Sequence, residues 1–188
     1  MGRIICIGGS TGAPAGLTDL LSALPEDLGV PILVALHMPG SMTASFARTL
    51  AGRMPFRVAV AQGGERPEPG CVYLGPGGRH LGVGAGGRLV LSTRPEELHF
   101  KPSIDVLFYT AARVFGRGVV AVVLTGLTAK RDAVEGALAV RKARGEVIVL
   151  DDPASRFLGL PKSVIEAGAA TRVVAARDLA PEVVRRAR

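Results

Sequence analysis

The sequence feature that most constrains the fold is GVVAVVL, a nearly unbroken run of apolar, mostly β-branched residues at positions 118–124. Such a run is typical of a strand covered on both faces, as in a parallel sheet with helices on each side. Further short apolar runs, including RIICIG, PILVAL and EVIVL, alternate with segments of helical periodicity. The pattern predicts an α/β fold: a doubly wound, mostly parallel sheet flanked by helices.

One segment departs from this alternation. HLGVGAGGRLVLS, residues 80–92, has two alternating apolar stretches around GAGG, where glycines allow positive φ. This segment predicts an antiparallel hairpin inserted into the α/β chain. The next segment, PSIDVLFYTAARVFG, predicts a helix with Ser103 as its N-cap and a closing glycine. We find no internal repeat and no interdomain linker, so we expect one domain over residues 1–188.

Composition narrows the class of protein. Apolar residues make up 48% of the chain and charged residues 21%, which is typical of a globular protein. No apolar run approaches the ~18–20 residues needed to cross a bilayer, and the first residues do not resemble a signal peptide. Cys6 and Cys71 are far apart within apolar segments, which predicts buried free thiols rather than a disulfide or metal site. We therefore expect a cytoplasmic protein without direct membrane insertion.

The net charge of +7 raises the question of nucleic-acid binding. The arginines are scattered, aromatic residues make up 4% and Trp is absent, so a stacking platform for single strands is not expected. We expect no nucleic-acid partner. A basic surface would instead favour an acidic protein partner.

Polar residues follow the ends of the predicted strands, where parallel sheets bind their ligands. Ser10 lies in GGSTG, a match to G-x-S-x-G on a strand-to-helix turn, which can present a serine nucleophile. A serine between glycines can also be a turn residue or a helix cap. A phosphate cradle is the further alternative, but the loop lacks both the G-x-G-x-x-G register and a P-loop lysine. The nucleophile interpretation is favoured, with a nucleotide-binding domain as an alternative.

A serine nucleophile needs a base to take its proton. His37 closes the second predicted strand, next to the end of the first strand, although a histidine there can simply cap a loop. The other two histidines are less well placed, because His80 begins the hairpin and His99 precedes a Lys-Pro loop. His37 is therefore the predicted base.

The third member of such a site is a carboxylate that orients the imidazole. Asp132 follows the central strand, ahead of Asp152 and Asp105 in order of preference. Asp132 and Glu135 also form a D-x-x-E pattern, close to a capping box at a helix N-terminus. If Asp132 is the acid, its carboxylate should lie within about 3 Å of a His37 ring nitrogen.

Taken together, these residues resemble the catalytic domain of the CheB family of chemotaxis protein-glutamate methylesterases. The resemblance covers nearly the whole chain. It is carried by five ordered blocks: IGGSTGAP, LHMPGSMTASFARTL, GCVYLGPGGRHL, HFKPSIDVLF and FLGLPKSVIEAGAATRVV.

The resemblance implies an activity and a set of site residues. It implies a serine esterase that hydrolyses glutamate γ-methyl esters on methyl-accepting chemotaxis receptors and also deamidates certain receptor glutamines. Ser10 would be the nucleophile, His37 the base and Asp132 the acid, with the Leu127 amide and Thr11 holding the oxyanion. No metal or organic cofactor is implied. We expect a single CheB-type domain over residues 1–188, with no receiver domain in this chain.

One block departs from the family pattern. The family has LTGMGxDGAxG where this chain has LTGLTAKRDAVEG, which indicates a two-residue insertion ahead of Asp132 and Leu127 in place of Met. Leu36 also stands where the family has Gln before the histidine. This altered loop supports an alternative function, a degenerate methylesterase-like domain that binds a signalling partner without catalysis.

Overall fold

A computed structural model describes residues 2–127 and 132–188 of the chain. The strands are β1 (Ile4–Gly9), β2 (Ile32–Leu36), β3 (Arg57–Val60), β4 (Cys71–Leu74), β5 (His80–Val83), β6 (Leu89–Ser92), β7 (Val119–Val123), β8 (Glu146–Leu150) and β9 (Arg172–Val174). The helices are α1 (Ala13–Ala23), α2 (Gly40–Ala51), α3 (Ile104–Phe115), α4 (Val134–Lys142), α5 (Gly159–Glu166) and α6 (Ala176–Ala187).

Seven of these strands form one parallel sheet in the order β3-β4-β2-β1-β7-β8-β9. From β1 the chain runs to β2, out to the edge strand β3 and back to β4, and on the other side it winds outward from β7 through β8 to β9. β1 therefore lies between β2 and β7, at the point where the strand order reverses. In doubly wound sheets this is where ligands bind, beyond the carboxyl ends of the strands. The predicted fold class is confirmed, and the sheet brings the loops after β1, β2 and β7 together.

Side chains alternate between two apolar cores on the two faces of the sheet. Along β1, Ile4 and Cys6 face the core beneath α3, α4 and α5, while Ile5 and Ile7 face the core beneath α1, α2 and α6. All four side chains are fully buried. Burial on both faces explains why the central strands read as continuous apolar runs.

The predicted hairpin is present as β5 and β6, a separate antiparallel pair. It packs against α3: the Val83 amide donates to Thr110 Oγ1 at 3.0 Å, and a Cβ at Gly82 would lie 2.9 Å from the same oxygen. Ser103 is the N-cap of α3, as predicted, and its hydroxyl accepts a hydrogen bond from the Val106 amide at 3.3 Å. The hairpin therefore packs against the middle of α3.

Within the described ranges, no helix combines the length and the apolar character needed to cross a bilayer. Cys6 and Cys71 are both buried and form no disulfide.

Candidate active site

Ser10 and His37 follow neighbouring strands of the sheet. Gly9 is in register with Leu36, and the His37 amide donates to the Gly9 carbonyl at 3.0 Å. On the other side, the Ser10 amide donates to the Thr125 carbonyl at 2.9 Å, just beyond β7. Backbone pairing that continues past the strand ends therefore fixes the position of Ser10.

The turn after Ser10 takes its unusual backbone conformation from a glycine. Gly12 has φ 82° and is the N-cap of α1, with no side-chain cap. In the G-x-S-x-G turns of esterases the serine itself lies on the strained part of the turn. Here the residue with the positive φ is Gly12, two positions after Ser10. The Ser10 hydroxyl is not used as a helix cap. It is half-buried beside the positive end of α1.

Asp132 reaches the imidazole of His37. Its Oδ2 lies 2.8 Å from His37 Nε2, and each of the two side chains is 8% exposed. Because Asp132 is an acceptor, Nε2 carries a proton and Nδ1 is the nitrogen available to accept one. Within the described residues no hydrogen bond joins the Ser10 hydroxyl to the His37 ring. Such contacts are often long in ligand-free enzymes and tighten when substrate binds.

The Asp132 carboxylate is held at the N-terminus of α3. Ser103 Oγ and the Asp105 amide donate to Oδ1 at 2.8 and 2.9 Å, and the Ile104 amide donates to Oδ2 at 2.7 Å. A helix N-terminus favours a negative charge because its first amides lack partners within the helix. The carboxylate therefore takes the place of an anion bound to α3.

This environment also sets the ionisation of Asp132. Burial alone would raise its pKa, but the hydrogen bonds from His37 and from the Asp105 and Ile104 amides outweigh burial and hold the pKa below the usual 3.8. Asp132 is therefore ionised at neutral pH and can stabilise an imidazolium.

The D-x-x-E capping box suggested by the sequence does not form. The N-cap of α4 is Ala133, which has φ 85° and no side-chain cap, and the Ala133 amide donates to Oδ1 of Asp132 at 3.1 Å. An alanine in the left-handed region costs about 1 kcal/mol or more. The contacts of Asp132 with α3 and His37 fix this conformation.

The remaining candidate residues take no part in the contact between Asp132 and His37. Asp152 accepts hydrogen bonds from the amides of Ala154 and Ala176 at 2.9 and 3.0 Å, which caps the start of α6. His80 is buried at the base of the hairpin and bonds to Ser103. His99 is exposed and meets Phe100 edge-on.

Sequence reasoning missed Phe100. Its ring stacks on the His37 imidazole, with centroids 3.8 Å apart and planes 9° from parallel. Phe100 therefore covers one face of the base and restricts its orientation. The sequence offered one signal, an aromatic residue two positions before the PS pair that begins α3.

Asp105 forms a second carboxyl group beside Asp132. Its Oδ1 accepts the Gly136 amide at 2.6 Å, which ties the first turn of α4 to α3. Burial raises the pKa of Asp105 to about 7; the Gly136 amide opposes this shift, while the nearby charges of Asp132 and Glu135 add to it. Between pH 3.8 and about 7 the native state therefore binds more protons at Asp105 than the unfolded chain does.

Asp105→Asn is expected to stabilise the protein more at pH 8 than at pH 5. The amide oxygen still accepts the Gly136 N–H, but the buried charge that forms above pH 7 is gone. The pH-dependent gain should be on the order of 1 kcal/mol or more. Urea unfolding at both pH values measures it, with exposed Asp178→Asn on α6 as the matched control. An equal effect of Asp105→Asn at the two pH values would contradict the account.

Gly126 leaves room for Ser10. A Cβ at position 126 would lie 2.9 Å from the Ser10 Cβ and 3.1 Å from the Leu160 Cβ. Gly126 is also fixed by its neighbours, because its amide donates to the Phe157 carbonyl at 2.7 Å. Any side chain here must therefore push on the Ser10 turn.

Gly126→Ala is expected to lower kcat/KM of an esterase reaction by about tenfold to a hundredfold, since small misplacements of reacting groups are this costly. Gly16→Ala in α1 is the matched control, because a Cβ there meets nothing within 4 Å. The control should keep full activity. Wild-type kcat/KM in a folded Gly126→Ala variant would show that this close contact does not position Ser10.

The two predicted oxyanion residues flank Ser10. Thr11 follows it in the chain and is exposed, and Leu127 follows Gly126 and is 56% exposed. The insertion indicated ahead of Asp132 falls on residues 128–131, outside the described residues. On both sides of that segment, Gly126 and Asp132 keep their contacts with the site.

Comparisons with known proteins identify the family. The profile of the CheB methylesterase family matches residues 5–183. The protein-glutamate methylesterase/protein-glutamine glutaminase of Nocardioides sp. is 39% identical over 187 residues, which cover 98% of this chain and 50% of the relative. Its counterpart from Maricaulis maris is 37% identical over 189 residues, 99% of this chain and 47% of the relative.

A solved structure agrees with these matches. The crystal structure of the Thermotoga maritima CheB methylesterase catalytic domain superimposes with a TM-score of 0.92 at 34% identity, covering 98% of both chains. The chain spans about half the length of the curated relatives it matches, and the single-domain organisation over residues 1–188 stays a prediction. The resemblance drawn from the sequence blocks is confirmed: the chain belongs to the CheB methylesterase family.

Proposed function

We propose that this protein is a serine esterase that hydrolyses glutamate γ-methyl esters on chemoreceptors, releasing methanol. The observation that carries the proposal is the 2.8 Å contact between Asp132 Oδ2 and His37 Nε2, on the strand end next to Ser10. A buried, ionised carboxylate, a histidine with one free nitrogen and a serine on the adjacent strand are the groups that acyl transfer requires.

In the acylation step, His37 Nδ1 takes the proton from Ser10 Oγ as that oxygen attacks the ester carbonyl. The imidazolium that forms is stabilised by Asp132 through Nε2. When the tetrahedral intermediate collapses, the C–O bond to the methoxy group breaks, and the Nδ1 proton goes to the leaving oxygen to give methanol. A glutamyl ester of Ser10 remains.

In the deacylation step, His37 takes a proton from water, which attacks the glutamyl ester. Collapse of this second intermediate breaks the bond to Ser10 Oγ, returns the His37 proton to that oxygen and releases the glutamic acid side chain, which loses its own proton to solvent at neutral pH. Both intermediates carry an oxyanion. The backbone amide of Leu127, together with Thr11, is proposed to donate to it, because both residues border Ser10.

The shape of the site supports a protein-borne substrate. Thr11 and Gly12 are exposed, and Leu127, which follows Gly126, is 56% exposed. Such an open, partly apolar rim suits an ester presented on a receptor helix rather than a small molecule enclosed in a deep pocket. The methylated helices of chemoreceptors are cytoplasmic, and the proposal places the protein in that compartment.

Deamidation of receptor glutamines follows from the same chemistry. A glutamine amide carbonyl can take the place of the ester, and ammonia then leaves in place of methanol. Relatives of this chain carry glutaminase in their names as well as methylesterase. We propose both activities at one site. No observation in the described residues favours a non-catalytic binding function.

Methanol release tests the proposal. The full chain is incubated with a chemoreceptor fragment that has been methylated with labelled methyl groups, and volatile label is counted. We expect release that depends on the protein, with glutamate recovered at the methylated positions by mass spectrometry. No release above the uncatalysed rate, from a folded protein and several receptor fragments, would reject the proposed function.

A further inference from the structure

His80 lies at the start of the hairpin strand β5 and is only 1% exposed. Its Nδ1 accepts a hydrogen bond from the Ser103 amide at 3.1 Å, and its Nε2 lies 3.1 Å from the Pro95 carbonyl. An amide can only donate and a carbonyl can only accept, so these contacts fix the ring as the neutral tautomer with its proton on Nε2. His80 thus joins the start of α3 to the loop that precedes it.

Ser103 passes this constraint to Asp132. The amide of Ser103 is bonded to His80, and the hydroxyl of the same residue donates to Asp132 Oδ1 at 2.8 Å. The next two amides along the chain, of Ile104 and Asp105, donate to the same carboxylate at 2.7 and 2.9 Å. Three donors to Asp132 therefore come from one three-residue stretch, and this stretch is anchored at its first residue by His80.

The loop on the other side of His80 also reaches the site. Pro95 accepts from Nε2 of His80, and five residues further on Phe100 stacks on the His37 ring. The two neighbours of Asp132 and His37, the α3 N-terminus and the Phe100 loop, are thus tied to one buried imidazole. The packing of the hairpin on α3 holds that imidazole in place.

We propose that His80 is a positioning residue for the esterase reaction: through Ser103 it holds Asp132 in line with His37, and the inserted hairpin serves to place it. This inference rests on the proposed function. It gives a catalytic purpose to an element that the parallel sheet itself does not need.

The ionisation of His80 agrees with this role. Burial lowers the pKa of His80 below the usual 6.5, and the positive charge of nearby Lys101 lowers it further. The hydrogen bond to the Pro95 carbonyl and the negative charge of Asp132 act in the opposite direction but do not cancel this shift. Protonated Nδ1 would point an N–H at the Ser103 N–H. The neutral ring is therefore the form that keeps Ser103 in place.

The test compares His80→Leu with His80→Asn in the full chain. Leucine removes the acceptor for the Ser103 amide, whereas the Asn side-chain oxygen can replace Nδ1. We expect His80→Leu to lower kcat for methanol release by about tenfold or more with KM within about twofold, and His80→Asn to recover most of kcat. Val183→Ala, a buried change on α6 on the opposite face of the sheet, controls for lost packing and should keep wild-type kcat.

A second readout does not depend on activity. With the three histidines of the chain labelled with ¹⁵N, the Nε2–H of His37 should give a downfield proton signal while it is bonded to Asp132. The signal should persist in wild type and His80→Asn and be lost in His80→Leu. If His80→Leu does not fold, His80→Met takes its place, because its flexible side chain fills the same space and its sulfur is only a weak acceptor for the Ser103 amide, and the same losses of signal and kcat are expected.

Persistence of the signal together with a kcat equal to that of Val183→Ala would overturn the proposal for His80. If wild type shows the signal and releases no methanol, the proposed function fails, while the comparison of signals still decides whether His80 positions Asp132.

Discussion

Ser10→Ala is expected to lower kcat for methanol release by about 10³-fold or more, because alanine cannot form the acyl-enzyme and water would have to attack the ester directly. The fold should be unaffected. Residue 10 is held by the hydrogen bond that its backbone amide donates to the Thr125 carbonyl. A methyl group also fits wherever the hydroxymethyl group does.

The matched control is Ser22→Ala on the far end of α1, where the hydroxyl donates hydrogen bonds to the Thr18 carbonyl and the sulfur of Met54. It should retain wild-type kcat. A Ser10→Ala variant that releases methanol within tenfold of the wild-type rate would show that another group is the nucleophile.

Asp132→Asn has the second large effect, and it should appear in both activity and stability. An amide at this position can offer its NH₂ group to Nε2, which favours the tautomer with the proton on Nδ1 and leaves His37 unable to accept the Ser10 proton. In a related triad such a loss of the correct tautomer costs about 10⁴-fold in kcat. We expect a decrease of about 10³-fold or more here.

The stability effect arises because the carboxylate accepts bonds from Ser103, Ile104 and Asp105 at the start of α3. Hydrogen bonds to a charged group contribute about 1.5–3 kcal/mol each to stability, and an amide cannot accept all of these. Because the folded pKa of Asp132 lies below 3.8, its contribution is present above that pH and is lost as pH falls through the folded pKa. The difference between wild type and Asp132→Asn should therefore shrink in acid.

Urea unfolding across pH, combined with methanol release at a temperature where both proteins are folded, measures the two effects. Asp152→Asn is the control, since Asp152 caps α6 and lies outside the site. The Asp152→Asn variant should be somewhat less stable than wild type, and its kcat should be unchanged. A folded Asp132→Asn variant with kcat within tenfold of wild type would remove Asp132 from the reaction.

Those features of the fold that depend on local pattern could be predicted from the sequence. The β-branched run at 118–124 predicted a strand buried on both faces, and the GAGG segment predicted the hairpin. The placement of Ser10 and His37 on neighbouring strand ends could be predicted because the carboxyl ends of neighbouring parallel strands share one edge of the sheet. For these features, periodicity and topology were sufficient.

The surroundings of Asp132 could not be predicted in the same way. Its spacing to Glu135 pointed to a capping box at its own helix, yet its carboxylate binds the N-terminus of α3, whose first residues lie 27 to 29 positions earlier. Contacts that depend on how two helices pack against each other produce no local spacing pattern in the sequence, so they cannot be predicted from it. The left-handed conformation of Ala133 was hidden for a related reason, because tertiary contacts impose it on a residue that rarely adopts it.

The contacts of His80 also could not be predicted from local sequence spacing. The sequence pattern correctly placed His80 at the start of the hairpin, and for that reason His80 was not predicted to be the catalytic base. Its partner Ser103 lies 23 residues away and was predicted only as a helix cap. Only the packing of the hairpin on α3 brings the imidazole to the Ser103 amide.

Labelling with a serine-reactive fluorophosphonate tests whether Ser10 is a nucleophile activated by His37 and Asp132. After digestion and mass spectrometry, we expect one phosphonylated peptide from the wild type, modified at Ser10, with labelling at least about a hundredfold slower in His37→Ala and Asp132→Asn. Labelling at a different residue, or equal rates of Ser10 labelling in all three proteins, would contradict this role of Ser10.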